Sequence, residues 1–515
     1  MNLKNDNSRS KNLILNVFTG FLSQFVALFL SFLSRRIFVS FLPLDYLGIN
    51  GLYTNILTVL SLTEMGLDSA FVYMLYKPLS ENNSLLVSSL LKYFKKLYFA
   101  ITGALVGLGL CLIPVLKYIV NIDSEVIISD RELIYYYLLF LANTIIPYFF
   151  AQYSILLSAS QYNRIKHGLV ICTNIVLQLM HIIVLYVFKT YEAYTITTVF
   201  MTAIYCLLLR LITRKKYTLY FQDNTAVNID KQEIKRKVKS TILYKYGAVA
   251  INHTDNILIS VIVSTAAVGA YSNYLVILNA FQGLVSTASA SLLNGLGSLY
   301  ATDENNDKKK DIFYSQLFVY HLVGAMGFIG LYVLLDKFIV LWLGSKYVLG
   351  KGISFCTALY FYLNNAIAPI WINREANGLF EKVKYLMIIQ AIVNLTLSIM
   401  LGIFYGTFGI LLATSISMIL TSFWVEPQIL FKTVFKMSSR YYWQRQAVYF
   451  LVTICLLFVM INVDRVMSNT IISFAAEMFM IILLSICSFS LCIMRNKEGK
   501  FLFGRIKGII KIHKS

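Results

Sequence analysis

Residues 97–119 read LYFAITGALVGLGLCLIPVLKYI, twenty-three positions carrying a single charge, Lys117. A helix rises about 1.5 Å per residue, so about 20 apolar residues cross the ~30 Å hydrocarbon layer of a bilayer. This stretch is long enough to span. The same reading recurs along the chain at roughly 13–41, 46–76, 132–158, 168–189, 192–212, 243–264 and 270–299. It continues at roughly 313–335, 352–372, 385–404, 407–431, 447–463 and 470–494, for fourteen expected spans. The run after the short basic head is too long for a signal-peptide core and has no small-residue cleavage site, so it is expected to be the first span.

Composition agrees. Apolar residues make up 58% of the 515 and charged residues only 14%, against about 25% charged in soluble domains. Soluble, secreted and disulfide-stapled classes are excluded on that ground. The formal net charge of +20 belongs to basic cytoplasmic loops rather than to a nucleic-acid surface. The seven cysteines lie in apolar stretches without metal-ligand spacing and read as packing residues.

Lys and Arg orient the chain. With both termini in the cytoplasm, 36 of the 45 basic residues fall in inside segments and 7 in outside ones, as the positive-inside rule requires of an even span count. The longest inside loop, from Arg210 to Lys245, holds Arg214-Lys215-Lys216 and Lys235-Arg236-Lys237 near the middle of the chain.

Internal repeats divide the chain in two. Arg36-Ile37-Phe38-Val39-Ser40 resembles Asn256-Ile257-Leu258-Ile259-Ser260, and Asn143-Thr144-Ile145-Ile146-Pro147 resembles Asn365-Ala366-Ile367-Ala368-Pro369. Gly66-Leu67-Asp68-Ser69 resembles Gly295-Leu296-Gly297-Ser298. The matches pair each span with the one six further on, so the repeats are parallel. The expected organisation is an N-terminal lobe over 1–215, a basic cytoplasmic linker over 216–242 and a C-terminal lobe over 243–435. Residues 436–515 hold the last two spans and a basic tail. The fold class is an all-α polytopic membrane protein: two parallel six-helix lobes around a central cavity, plus two C-terminal helices.

No nucleotide loop, dinucleotide fingerprint or zinc spacing occurs, and no outside loop is long enough for a catalytic domain. No cofactor, metal or catalytic residue is expected, and the chain reads as a non-enzyme. Attention falls on ionisable residues within spans, which are costly there and mark function. Gln24 and Arg35 share a polar stripe of the first span, whereas Arg36 tops an aromatic stripe and is placed to snorkel to headgroups. Arg35 suits a phosphate, whose oxygens its fork of donors matches. Glu64 and Asp68 stand at i,i+4 on one face of the second span. In the seventh, Asn252, Asp255 and Asn256 share a face and His253 points away. The repeat aligns Asp255 with Arg35. The expectation is a substrate cavity using Arg35, Arg36, Gln24, Asn252 and Asn256, with Asp255, Glu64, Asp68 or His253 available to a coupling ion or proton. His181 and His321 read as satisfied core histidines.

Particular wording carries a resemblance. Leu33-Ser34-Arg35-Arg36 is followed by Asp45-Tyr46-Leu47-Gly48-Ile49-Asn50-Gly51-Leu52-Tyr53, then Leu60-Ser61-Leu62-Thr63-Glu64-Met65-Gly66-Leu67 and Leu75-Tyr76-Lys77-Pro78-Leu79. Leu341-Trp342-Leu343-Gly344 comes later. These resemble the Gram-positive branch of the polysaccharide repeat-unit flippases, within the multidrug/oligosaccharidyl-lipid/polysaccharide (MOP) exporter superfamily. The resemblance implies a bacterial cytoplasmic-membrane protein that moves an undecaprenyl-pyrophosphate-linked oligosaccharide outward by alternating access, for capsular or exopolysaccharide synthesis. Implied partners are that lipid-linked substrate, membrane lipids, and the polysaccharide polymerase and chain-length machinery. Related murein-precursor flippases carry arginines in the first helix's cavity wall, where Arg35 matches, although they carry more than are found here. The competing readings are a drug/cation antiporter of the same superfamily and a membrane glycan polymerase.

Overall fold

The computed structural model describes Val26 and residues 28–61, 67–122, 128–160, 162–222, 253–302, 306–468 and 470–493. Everything regular in them is helical. Among these residues nine helical segments are long and apolar enough to cross a membrane. The chain forms two compact units, Met1–Gly269 and Ala270–Ser515.

In the first unit, α1 covers 28–41 and Pro43 separates it from α2, Leu44–Leu60. Then follow α3 (Leu67–Ser80), α4 (Ser84–Ile119) and α5 (Asp130–Ile145). A 3-10 turn at Ile146–Phe150 leads into α6, Ala151–Ala159. Pro147 lacks an amide hydrogen, which accounts for the change of winding within one expected span. Next come α7 (Asn163–Phe188), α8 (Tyr191–Lys216), the short α9 (Leu219–Gln222) and α10 (253–262).

Several helices outrun their apolar stretches. With 36 residues, α4 is about 54 Å long, and its Lys92, Lys95 and Lys96 lie on the N-terminal extension. Asn83 caps that end by accepting from the Leu86 amide at 3.0 Å. A capping box at Ser129 and Glu132 starts α5.

The core of this unit packs α3, α4 and α6 around Phe71, Leu75, Phe94, Tyr98 and Leu156. Phe71 and Phe94 stack with centroids 3.9 Å apart. Tyr53 of α2 donates to the Leu133 carbonyl at 3.1 Å, and Tyr137 of α5 donates to the Gly109 carbonyl of α4 at 3.0 Å. α10 joins the unit through Ser260, which donates to the Ile119 carbonyl at 2.8 Å, and the chain just after it through the Thr265 amide, which donates to Asn121 O at 2.7 Å. Gly48 is required there, since a Cβ on it would come within 1.9 Å of the Thr265 carbonyl oxygen.

The second unit holds most of α11 (Thr265–Thr302), then α12 (Asn306–Trp342), α13 (Lys351–Ala376) and α14 (Phe380–Leu420). It ends with α15 (Ser422–Leu430), α16 (Arg440–Val466) and α17 (Ile471–Ile493). Gly406, at φ 58° and ψ −139°, breaks α14 in two, at the boundary expected between 385–404 and 407–431. A Cβ on the nearby Gly409 would come within 2.0 Å of the Leu401 carbonyl oxygen, so the chain closes tightly there.

Several buried charged and polar groups in this unit are paired. Arg374 on α13 meets Glu426 on α15 at 2.5 Å, and the Trp371 indole donates to the same carboxylate at 3.2 Å. Lys337 on α12 reaches Asp464 on α16 at 2.6 Å and Glu477 on α17 at 2.8 Å, tying the last two helices to it. His321 uses both ring nitrogens, toward the Leu317 carbonyl at 2.8 Å and the Gln446 amide oxygen at 2.7 Å. It is a satisfied core histidine, as expected. All seven cysteines are free.

Candidate functional site

α1 carries Ser34, Phe38 and Val39 to the interior, while Arg35 is half-buried and Arg36 exposed. The two arginines, about 100° apart on the helix, therefore meet different surroundings. Phe38, one turn beyond Arg35, packs edge-on against Tyr194 of α8 with centroids 5.0 Å apart. The Arg35 guanidinium lies within electrostatic reach of the Tyr194 phenol.

Tyr194 in turn stacks on His181 of α7, with centroids 3.9 Å apart. The His181 Nε2 is 3.0 Å from the Thr198 hydroxyl. His181 and Tyr194 face a cavity of about 230 Å³ bounded by α2, α5, α7 and α8. Its polar lining is Asn50 and Thr54, one turn apart on α2, with Asn143, Gln178, Thr195 and Thr198. Among the described residues its lining holds no carboxylate, lysine or arginine.

The other expected residues divide. Gln24, Glu64 and Asn252 lie outside the described residues, as does the side chain of Asp68. His253 is committed to α2: its Nδ1 is 2.6 Å from the Asn55 Oδ1, whose amide nitrogen donates to the Gly51 carbonyl. Asp255 is half-buried and Asn256 is 6% exposed, on the first unit's α10. Among the described residues no three His, Cys, Asp or Glu side chains gather to hold a metal ion.

Sequence reading took His181 for a packing residue and passed over Tyr194, Gln178 and the threonines. A signal was present. Thr173, Asn174, Gln178 and His181 share one face of α7, and Tyr194, Thr198, Thr202 and Tyr205 share one face of α8. These residues are mostly neutral, and a search of spans for charge does not register them.

No family model matches the chain, and no curated protein matches it. Solved structures do. The lipid II flippase MurJ, in an inward closed conformation, is 16% identical with a TM-score of 0.70, over 93% of this chain and 98% of that one. An inward-facing multidrug resistance MATE-family transporter of the MOP superfamily is 14% identical with a TM-score of 0.60, over 79% of this chain and 96% of that one. A MOP-superfamily transporter from Pyrococcus furiosus is 11% identical with a TM-score of 0.56, over 81% and 95%. The chain has the fold of these membrane transporters.

Proposed function

We propose that this chain is a flippase of the bacterial cytoplasmic membrane. It moves undecaprenyl-pyrophosphate-linked oligosaccharide repeat units from the inner to the outer leaflet, for capsular or exopolysaccharide synthesis. The observation that carries the reading is the chemistry of the first unit's cavity. Tyr194, which lines that cavity, lies within electrostatic reach of Arg35, and among the described residues the lining is mostly polar and holds no carboxylate. A guanidinium recognises a diphosphate bidentately, whereas a cationic drug would call for acidic groups. A polar headgroup cannot cross about 30 Å of hydrocarbon unaided, and a protein that shields it by alternating access lowers that barrier.

In this proposal the termini and the basic 216–242 linker are cytoplasmic, and 1–215 and 243–435 are the two moving lobes. Asp255, Glu64 and Asp68 are the candidates for a coupling ion or proton. The polymerase and chain-length machinery act on the product at the outer leaflet.

The test is reconstitution. The purified protein is placed in liposomes containing undecaprenyl-pyrophosphate-linked oligosaccharide from the native cell. Accessibility of the sugar is followed with periodate added outside. The proposal expects labelling to rise from about half of the sugar toward all of it. Labelling that stays at half, with uptake of cationic dyes instead, would favour the antiporter.

A further inference from the structure

The cavity beside Tyr194 continues along the α7–α8 seam. A second cavity of about 190 Å³ is lined by Val170, Thr173, Asn174, Met201, Thr202 and Tyr205. Both cavities share Leu177. From Val170 to His181 the groove runs about 16 Å along α7, enough for two or three pyranose rings end to end.

Its lining alternates apolar side chains, among them Phe140, Leu177, Val170 and Met201, with polar ones. The polar groups are amides and hydroxyls, with His181 and tyrosines, and among the described residues none lining either cavity is Asp, Glu, Lys or Arg. Amides and hydroxyls both donate and accept, which matches sugar hydroxyls and suits neither a bare cation nor a bare anion. Two buried polar atoms of this lining have no hydrogen-bond partner among the described residues: the Nδ1 of His181, a residue 3% exposed, and the Oδ1 of Asn143. Buried polar atoms of this kind take a hydrogen bond where one is offered. A groove with this lining is costly against hydrocarbon and is compatible with water or a polar ligand.

We infer that the α7–α8 groove is a carbohydrate track that takes the uncharged hexose or N-acetylhexosamine rings of the substrate. The inference rests on the flippase reading. The diphosphate then sits at Arg35, and the first sugar lies by the stacked His181 and Tyr194 rings, with hydrogen bonds to Asn50, Asn143 and Gln178. Further sugars extend past Asn174 and Thr202.

The test uses the full chain with its seven cysteines replaced, carrying Asn174→Cys or Gln178→Cys, with Val187→Cys as a site outside the groove. Membrane vesicles are treated with a water-soluble maleimide in the presence of N,N′-diacetylchitobiose, lactose or sodium pyrophosphate. The neutral disaccharides are expected to slow labelling at 174 and 178 at least threefold and to leave 187 unchanged. Pyrophosphate is expected to protect neither groove position. Protection by pyrophosphate alone would make the groove an anion site and overturn the inference. So would an absence of labelling, or labelling that no sugar slows.

Saturation-transfer NMR on the unmodified chain in nanodiscs is independent of these substitutions. Transfer to N,N′-diacetylchitobiose or lactose ring protons, at least halved in His181→Ala, supports the track, and its absence overturns it. Flipping that proceeds without sugar protection refutes the track alone. Sugar protection in a chain that moves no lipid-linked glycan refutes the proposed function alone.

Discussion

The imidazole of His181 lies on the ring of Tyr194, with centroids 3.9 Å apart and planes 25° from parallel, and its Nε2 meets the Thr198 hydroxyl at 3.0 Å. The two residues stand thirteen positions apart on consecutive helices, α7 and α8, and they close one wall of the cavity. An aromatic pair contributes about 0.5–1.5 kcal/mol beyond its buried area, and the hydrogen bond about 0.5–1.5 kcal/mol. His181→Ala is therefore expected to lower the detergent unfolding midpoint by a few degrees. His181→Phe keeps the ring and should recover most of that loss. Both variants should slow lipid-linked glycan movement severalfold, because the polar nitrogens are gone. Thermal unfolding and the liposome assay, run on the same preparations, check this.

Arg35 and Arg36 make a paired prediction. Arg35 is half-buried beside Tyr194 and Arg36 is exposed. Arg35→Gln is expected to cut translocation at least tenfold, which corresponds to about 1.4 kcal/mol. Arg35→Lys should recover only part, since a point charge replaces the planar fork. Arg36→Gln should stay within about twofold. The readout is the initial rate of sugar exposure in liposomes.

The Arg374–Glu426 pair has side chains 3% and 0% exposed. Removing one partner of a buried pair costs about 3–5 kcal/mol, here offset only in part by the more exposed Glu375, 3.6 Å from Arg374. Glu426→Gln is expected to reduce yield and thermal stability sharply. The double variant Arg374→Met with Glu426→Leu should restore most of both, because no buried charge is left alone. Unfolding midpoints of the three proteins compare directly.

Lys337 neutralises two carboxylates, Asp464 and Glu477, on α16 and α17. Lys337→Met leaves both without their cation, whereas Glu477→Gln leaves the Lys337–Asp464 bridge in place. The first change is expected to loosen α16 and α17 far more than the second. Faster proteolysis between residues 432 and 440 in Lys337→Met than in Glu477→Gln would register it.

How much was legible in the sequence follows from these residues. The break between 385–404 and 407–431 was readable because Gly406 interrupts an apolar run, and it is there that the backbone turns. The helical class followed from hydropathy alone. The differing exposure of Arg35 and Arg36 followed from the 100° step between neighbours. The helix ends of α4 and α12 did not follow, because polar extensions such as 84–96 continue a helix past the apolar stretch that revealed it. The cavity was missed for a related reason. Charge marks cost in a membrane, and the residues that build the α7–α8 wall are nearly all neutral. Their shared faces become meaningful once two helices are known to pack against each other.

The most direct test of the central claim is made in the native cell. The protein is depleted, lipid-linked glycans are extracted, and their leaflet is assigned with an impermeant sugar-modifying probe on intact spheroplasts. The account predicts that complete oligosaccharide units on undecaprenyl pyrophosphate accumulate on the inner leaflet, shielded from the probe. Units that still reach the outer leaflet, or lipid-linked sugars unchanged in amount and sidedness, would contradict it.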